Sequence, residues 1–400
     1  MAGPLNGLRI LDLTTMVSGP MATMMLADQG ADVIKIESPR GDLMRNFSTI
    51  NKGMSASFLS CNRSKRGLAL DVKSPEGLSI IKALIATADV FVQNFRPGAI
   101  KRMGLGEDVV REIRPDIIYV SISGFGETGP YAHQRVYDPV IQALCGLADI
   151  QTDHATGQPR MVRTIIPDKT TAVTAAQAIT AALLARERTG VGQHVRLAML
   201  DTMVAYLWPE AIAGLTFVGK EVDPANGQMG LDLVFKTKDG YITAGAVSDA
   251  EWAGVCRALG REDLLEDARF KTAALRSQNV AERREIMSAE LQKWPTHDIL
   301  EMLDREEVPA APVLTRRQML DDEQVKANEI IEIHEDKLLG KVRQPRPAAQ
   351  FEHTPAAVSS LAPFLGADNA TILKEIGYSE TEIERLAEDG VLVSGGPDRD

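Results

Sequence analysis

The stretch Leu8-Arg9-Ile10-Leu11-Asp12-Leu13, followed by Gly19-Pro20, a helix-spaced segment at 21–28, Gly30 and Val33-Ile34-Lys35-Ile36, decides the fold. Its first six residues alternate as a short strand, Gly19-Pro20 punctuates a turn, and residues 21–28 space their apolar side chains as a helix does. Gly30 closes that helix and 33–36 reads as a second strand, so the segment is a βαβ unit. The pattern recurs along the chain. Residues 68–72 read as a strand and 74–86 as a helix capped by Ser74 with Pro75 at its first position; 90–92 and 117–122 read as further strands. Such alternation predicts an α/β protein with a mostly parallel sheet covered on both faces.

From Tyr137 onward helix dominates, with one candidate at 138–148 and a long Ala- and Thr-rich run at 168–188 that Gly190 ends as a C-cap. A strand at 193–197 and a helix at 199–207 follow. Pro224, Asn226, Gly227 and Gly230 mark 221–231 as a linker or loop. Beyond it, Val234 to Ile242 with its Asp239-Gly240 turn is a hairpin, and short amphipathic helices lie near 250–259, 280–293 and 296–306. Residues 341–353 are extended and Pro-rich, 365–390 hold a short helix pair, and 394–400 read as a disordered tail. The expected organisation is one large domain from 1–220 and 330–400, with a linker and small α+β domain at 221–329.

Of the 400 residues, 44 are Lys or Arg and 55 are Asp or Glu, a formal net charge of −11. That balance argues against a nucleic-acid partner, which needs a basic face. No apolar segment reaches the roughly 20 residues of a membrane span and no secretory leader opens the chain, so a cytoplasmic location without membrane contact is expected. Cys61, Cys145 and Cys256 are too scattered for a disulfide framework or a four-Cys zinc site, and the histidines at 133, 154, 194, 297, 334 and 353 lack metal-ligand spacing. No metal is expected.

The turn Met16-Val17-Ser18-Gly19-Pro20 lacks the glycines of a dinucleotide fingerprint, though the helix start at Pro20 suits an anion. Ser121-Ile122-Ser123-Gly124-Phe125-Gly126 lacks the first glycine of a nucleophile elbow. Asp168 stands where a helix should begin, and spacing alone makes it an N-cap.

Longer blocks carry a resemblance. Gly7 to Asp12, Gly19-Pro20, Ala27 to Glu37, Pro39 and Gly41-Asp42 are joined by Asn62-Arg63-Ser64-Lys65-Arg66, Asn94-Phe95-Arg96-Pro97-Gly98 and Arg102-Met103-Gly104-Leu105. Ser123 to Gly126, Arg188 to Gln193 and Ile376-Gly377-Tyr378-Ser379 complete the series. In this order the blocks resemble the class III CoA-transferases, the family of formyl-CoA transferase, crotonobetaine/carnitine CoA-transferase and α-methylacyl-CoA racemase.

The resemblance implies a Rossmann-like large domain, an inserted small domain and an interlocked homodimer. It implies an acyl-CoA and a small carboxylic acid as substrates, with no permanently bound cofactor. Asp168 falls at the catalytic aspartate, which would pass through a mixed anhydride and an aspartyl-CoA thioester. Val17, Ser18, Arg40, Lys65, Arg66, Asn94, Phe95, Ala99, Arg102 and Arg135 fall at or near CoA-binding positions, Arg40 standing in for an arginine that some relatives place where this chain has Ser38. Gly124, Gly126 and Gly129 are candidates either for an oxyanion pocket or for turns alone.

Racemase relatives place a His before the acid that is here Asp138. This chain has Tyr137 there, and Ser248 where they carry a supporting Glu, so Tyr137-Asp138 matches the transferase branch. A 2-methylacyl-CoA racemase and a non-catalytic CoA-binding homologue remain the alternatives. The glycine-rich loop of the formyl-CoA branch has no counterpart at 244–251, which argues against a formyl or oxalate preference.

Overall fold

The computed structural model describes residues 3–153, 156–222 and 233–395. Most of the expected linker, including Pro224, Asn226, Gly227 and Gly230, lies outside the described residues, as do His154 and the tail from 396 onward. The chain forms two compact units, Met1–Pro209 with Glu329–Asp400, and Glu210–Asn328.

In the first unit the strands are β1 (Arg9–Asp12), β2 (Asp32–Glu37), β3 (Ile50–Asn51), β4 (Met54–Ser55), β5 (Arg66–Ala69), β6 (Val90–Gln93), β7 (Ile118–Ser123) and β8 (His194–Ala198). Six of them form a parallel sheet in the order β5-β2-β1-β6-β7-β8, with Ile10 beside both Val33 and Val90. Numbered within the sheet this is the doubly wound order 3-2-1-4-5-6. The direction of winding reverses between β1 and β6, which opens a crevice at their carboxyl ends.

The helices of this unit up to residue 207 are α1 (Ser18–Asp28), α2 (Ala56–Asn62), α3 (Pro75–Ile85), α4 (Ala99–Arg102), α5 (Glu107–Ile113), α6 (Asp138–Leu144), α7 (Leu147–Ile150), α8 (Ile166–Thr189) and α9 (Met199–Leu207). Period-two alternation sorts the strand residues between two cores. Leu11, Ile34, Leu68, Phe91 and Tyr119 pack with Ile80, Ile81 and Leu84 of α3 and with Ile372 and Leu373 of the helix Asn369–Glu375. Ile10, Val33, Val90, Val92, Ile118 and Val120 pack under Ala22 and Leu26 of α1 and under α8. The α8 stripe is Ala172, Ala175, Ala176, Ile179, Ala182 and Leu183, whose small side chains let α1 approach closely. Each large aliphatic buried here contributes about 1.5–3 kcal/mol.

Local chemistry explains several boundaries. Ser74 caps α3 by accepting from the Gly77 amide at 3.0 Å, and Gly190 ends α8 at φ +70°. The single helix expected at 138–148 is two, because Gly146 adopts φ +87° between α6 and α7. The helix expected to start at Asp168 starts at Ile166, so Asp168 is not the N-cap but the third residue of the first turn. Pro167 is tolerated beside it because amides there have no helical partner.

The second unit holds an antiparallel sheet of β9 (Val234–Lys236), β10 (Tyr241–Ala244) and β11 (Ala310–Pro312). Helices Asp249–Ala258, Val280–Leu291 and Thr296–Arg305 pack on it around Phe235, Ile242, Trp252, Val255, Leu291 and Ile299. Asp239 in the hairpin turn accepts from the Thr296 amide at 2.8 Å and so orders the start of a helix far along the chain. Ser248 is a capping-box residue with Glu251. Back in the first unit, the stretch expected to be merely extended at 341–353 begins as a strand, β12 (Ile331–Asp336) pairing with β13 (Gly340–Pro345). Of the expected tail, the Gly395 amide donates to the Leu365 carbonyl at 2.9 Å.

Among the described residues no helix is long and apolar enough to cross a membrane, and no group of three or more His, Cys, Asp or Glu side chains could hold a metal ion.

Candidate active site

The crevice is built on buried charge. Asp12, at the carboxyl end of β1, is fully buried and accepts from Lys65 Nζ at 2.8 Å, Thr23 Oγ1 at 2.7 Å and Thr14 Oγ1 at 2.5 Å. Lys35 Nζ, equally buried, donates to the Thr14 carbonyl and to Asp42 Oδ2 at 3.2 Å. Burial pushes the Asp12 carboxyl up, but Lys65 and Lys35 outweigh it and hold the group well below the ordinary carboxylate range. The Asp42 carboxylate also receives the Met16 amide, at 3.2 Å, where the backbone takes a left-handed φ of 69°. This network fixes the loop from β1 to α1, and with it the position of Ser18.

Ser18 faces the central feature of the site. Its amide and hydroxyl lie close enough to the Asp168 carboxyl group, at the amino ends of α1 and α8, to draw its proton affinity down. Asp138, the first residue of α6 and only 2% exposed, accepts from the Asp168 amide through Oδ2 at 3.2 Å. Its other oxygen accepts from Gln142 Nε2 at 2.6 Å. Burial pushes the Asp168 carboxyl up, the Asp138 carboxylate pushes it further, and the Ser18 donors pull back, leaving it at about 6. Asp168 is nevertheless partly exposed, so near neutral pH it is an accessible, mostly ionised carboxylate of raised basicity. A carboxylate so placed can attack an electrophilic carbonyl.

An open cleft of about 570 Å³ lies along β6 and β7, lined among others by Phe95, Arg96, Lys101, Arg102, His133 and Arg196 but not by Asp168. Two of its cations face carboxylates, Arg196 with Glu127 Oε2 at 3.0 Å and Lys101 with Asp108 at 3.9 Å. Phe95 and Arg102, both expected at the ligand, are in this cleft. Ala99 is half-buried at the start of α4, and Arg40 and Arg135 are exposed.

Several expected contacts are otherwise engaged. Lys65 is not a surface cation: it is fully buried and donates to Asp12, to the Pro20 carbonyl and to Asn62 Oδ1, each at 2.8 Å. Arg66 begins β5 at the amino end of the sheet, opposite the crevice, where it binds both Asp32 oxygens and Glu375. Asn94 uses its amide to stitch the two lips of the crevice, accepting from the Thr15 amide at 2.9 Å and donating to the Thr15 carbonyl at 2.8 Å. Val17 is buried as the residue preceding α1, and the Ser18 side chain is turned to Asp168.

Of the three glycines, Gly126 and Gly129 stand at positive φ, Gly129 at +88°. Gly126 has φ +89° and its amide donates to Ser123 Oγ at 3.0 Å, so that amide is not free for an oxyanion. At Gly124 an added Cβ would lie 2.3 Å from Val136 Cγ1. Gly124→Ala should therefore displace the segment leading to Asp138 and cost about 1–3 kcal/mol in denaturant unfolding, with a parallel fall in kcat. Tyr137 is 62% exposed and directly precedes α6.

Sequence reading missed Gln142. Its side chain accepts from the Val162 amide at 2.9 Å and faces the Val162 and Thr164 carbonyls at 3.3 Å. The one local signal was its i,i+4 spacing from Asp138.

A doubly wound parallel sheet with a carboxylate of raised basicity near the start of α1 defines the class as α/β. The chain matches the model of CoA-transferase family III over residues 5–369 and belongs to that family. It is 37% identical over 397 residues to succinyl-CoA:glutarate CoA-transferase of Mus musculus, covering 97% of this chain and 90% of the relative. Succinate-glutarate CoA-transferase of Agrobacterium fabrum is 34% identical over 397 residues, covering 96% and 97%. A crystal structure of a CaiB/BaiF family protein from Brucella suis superposes with a TM-score of 0.81 at 32% identity, covering 94% of this chain and 100% of that one. The protein is thus a class III CoA-transferase, an enzyme whose substrates are CoA thioesters.

Proposed function

We propose that the enzyme moves CoA from an acyl-CoA donor of the succinyl-CoA kind to a small dicarboxylic acid, with the Asp168 carboxylate as covalent relay. One observation carries the reading: Asp168 combines partial exposure with a basicity raised by burial and by Asp138, which accepts its amide. The names of the relatives from mouse and Agrobacterium supply the acid class.

In the first step an Asp168 oxygen attacks the thioester carbonyl, the C–S bond breaks, and CoA leaves as thiolate from a mixed anhydride. The thiolate then attacks Asp168 Cγ, expelling the donor acid as carboxylate and leaving an aspartyl-CoA thioester. The acceptor carboxylate attacks that thioester and releases the thiolate again. Attack of the thiolate on the acceptor acyl carbon completes the new acyl-CoA and frees Asp168. Every step conserves the high-energy acyl bond and no net proton moves.

Phe95, Arg96 and Arg102 suit the nucleotide end of CoA, an aromatic face beside cations for phosphate. Arg102→Met is expected to raise the KM for acyl-CoA about 10-fold with kcat little changed, the loss of one charge-assisted contact. Homodimerisation belongs to the same reading, and the exposed apolar side chains Val173 and Leu184 of α8 and Tyr206 of α9 suit a covering partner copy.

A panel of labelled dicarboxylates with succinyl-CoA tests the assignment. Exchange into a C4 or C5 diacid at least about 100-fold faster than into monocarboxylates would support it. Equal rates would remove the dicarboxylate assignment, and α-proton wash-in from deuterated water without an acceptor would favour racemisation. Tight CoA binding without any exchange would favour a non-catalytic homologue.

A further inference from the structure

Gln142 is 2% exposed and lies one helical turn after Asp138 on α6. Its amide orientation is determined by its partners: Oε1 takes the Val162 N–H, so Nε2 must face Asp138 and the two carbonyls, all of which are acceptors. Asp138 therefore meets an N–H donor at each oxygen, Gln142 Nε2 at one and the Asp168 amide at the other. Both oxygens are engaged as acceptors, which fixes the orientation of the carboxyl group against the Asp168 amide.

We propose that Gln142 is a positioning residue of the transfer reaction, holding Asp138 against the Asp168 amide and so setting the surroundings in which the mixed anhydride breaks down. The inference rests on Asp168 being the nucleophile. The CoA thiolate can attack either carbonyl of the anhydride. Attack on the donor carbonyl expels Asp168 as a carboxylate beside Asp138 and undoes the first step. Attack on Asp168 Cγ expels the donor acid, whose charge can leave the site. A fixed negative charge at Asp138 disfavours expulsion of Asp168 from the donor anhydride and equally from the acceptor anhydride in the last step, so the clamp sets how long the aspartyl-CoA thioester persists rather than the direction of transfer. It also fixes the chain just before α8, because Val162 and Thr164 are tied to the same side chain.

The groups around Asp168 leave Asp138 as the principal opposing charge. On α1 it meets the uncharged donors of Ser18. On α2 the nearest titratable group is Cys61, whose thiol burial pushes up and so keeps protonated. Lys169 on α8 is exposed and donates to Thr164 Oγ1 at 2.9 Å; α9 carries Asp201 and Tyr206, both exposed.

The test compares Gln142→Met, Asp138→Asn and the double variant by single-turnover release of donor acid from acyl-CoA across pH. Without the Gln142 donor, Asp138 is no longer held against the Asp168 amide and its charge acts on Asp168 from farther away. The acid limb is then expected to move down by about one pH unit in each single variant and no further in the double. The kcat should fall about 10–100-fold with the KM for acyl-CoA within about 2-fold of wild type. A limb that stays in place in Gln142→Met, or shifts that add in the double variant, would overturn the proposal. Asp138→Asn retains a side-chain acceptor and carries the same limb test should Gln142→Met not fold. Failure of the nucleophile reading is distinguishable, because Asp168→Asn would then still turn over. Failure of this inference leaves Asp168→Asn inactive and the limb unmoved.

Discussion

Asp168→Asn should be both inactive and more stable than wild type at pH 7. Loss of the attacking oxygen is expected to lower exchange of labelled acid into acyl-CoA by on the order of 10⁴-fold or more. The stability change follows from linkage. The Asp168 carboxyl sits at about 6 in the fold against an ordinary value of 3.8. The native state therefore binds the proton more tightly than the unfolded chain, and native stability is lost as pH rises from about 4 to about 6. Two units correspond to at most about 3 kcal/mol, and the amide variant escapes that cost. Its Tm advantage should be present at pH 7–8 and vanish near pH 4. An Asn variant less stable than wild type at pH 7 would mean that the Ser18 donors outweigh burial and the Asp138 charge.

Lys65→Met should lower the unfolding free energy by about 3–5 kcal/mol while leaving the KM for acyl-CoA within about 2-fold in the folded protein. The lysine neutralises Asp12, and both side chains are fully inaccessible. Removing one partner leaves a carboxylate in the interior with Lys35 as its remaining nearby cation. Denaturant unfolding and steady-state kinetics on the same preparation separate this from a ligand contact. A large rise in KM with little loss of stability would return Lys65 to the CoA site.

The contrast between Lys65 and Arg102 marks what the sequence could disclose. Period-two alternation in β1, β2, β6 and β7, the Ser74 cap and the Gly190 stop are local signals, and the sheet follows from them. Short elements without such signals escaped: the β3–β4 hairpin turns through Lys52 and Gly53, both at positive φ, with Gly53 as its one local mark. Phe95 and Arg102 stand in the family blocks and both line the cleft, while Asp168 is singled out only as the position the resemblance gives to the catalytic acid. Their surroundings were not readable, because each depends on residues far apart in the chain. Lys65 and Asp12 are 53 positions apart, Arg66 and Glu375 are 309 apart, and Gln142 reaches Val162 and Thr164 across the α6–α8 connection. A cation beside an anionic ligand and a cation buried against an aspartate look alike in sequence. Tertiary pairing alone tells them apart.

The measurement that bears most directly on the central claim is covalent trapping. Enzyme incubated with acyl-CoA in the absence of acceptor and quenched with hydroxylamine should carry a hydroxamate on the peptide containing Asp168, and only when acyl-CoA was present. An enzyme of full activity whose Asp168 peptide stays unmodified, or whose hydroxamate lies on another carboxylate, would contradict the account.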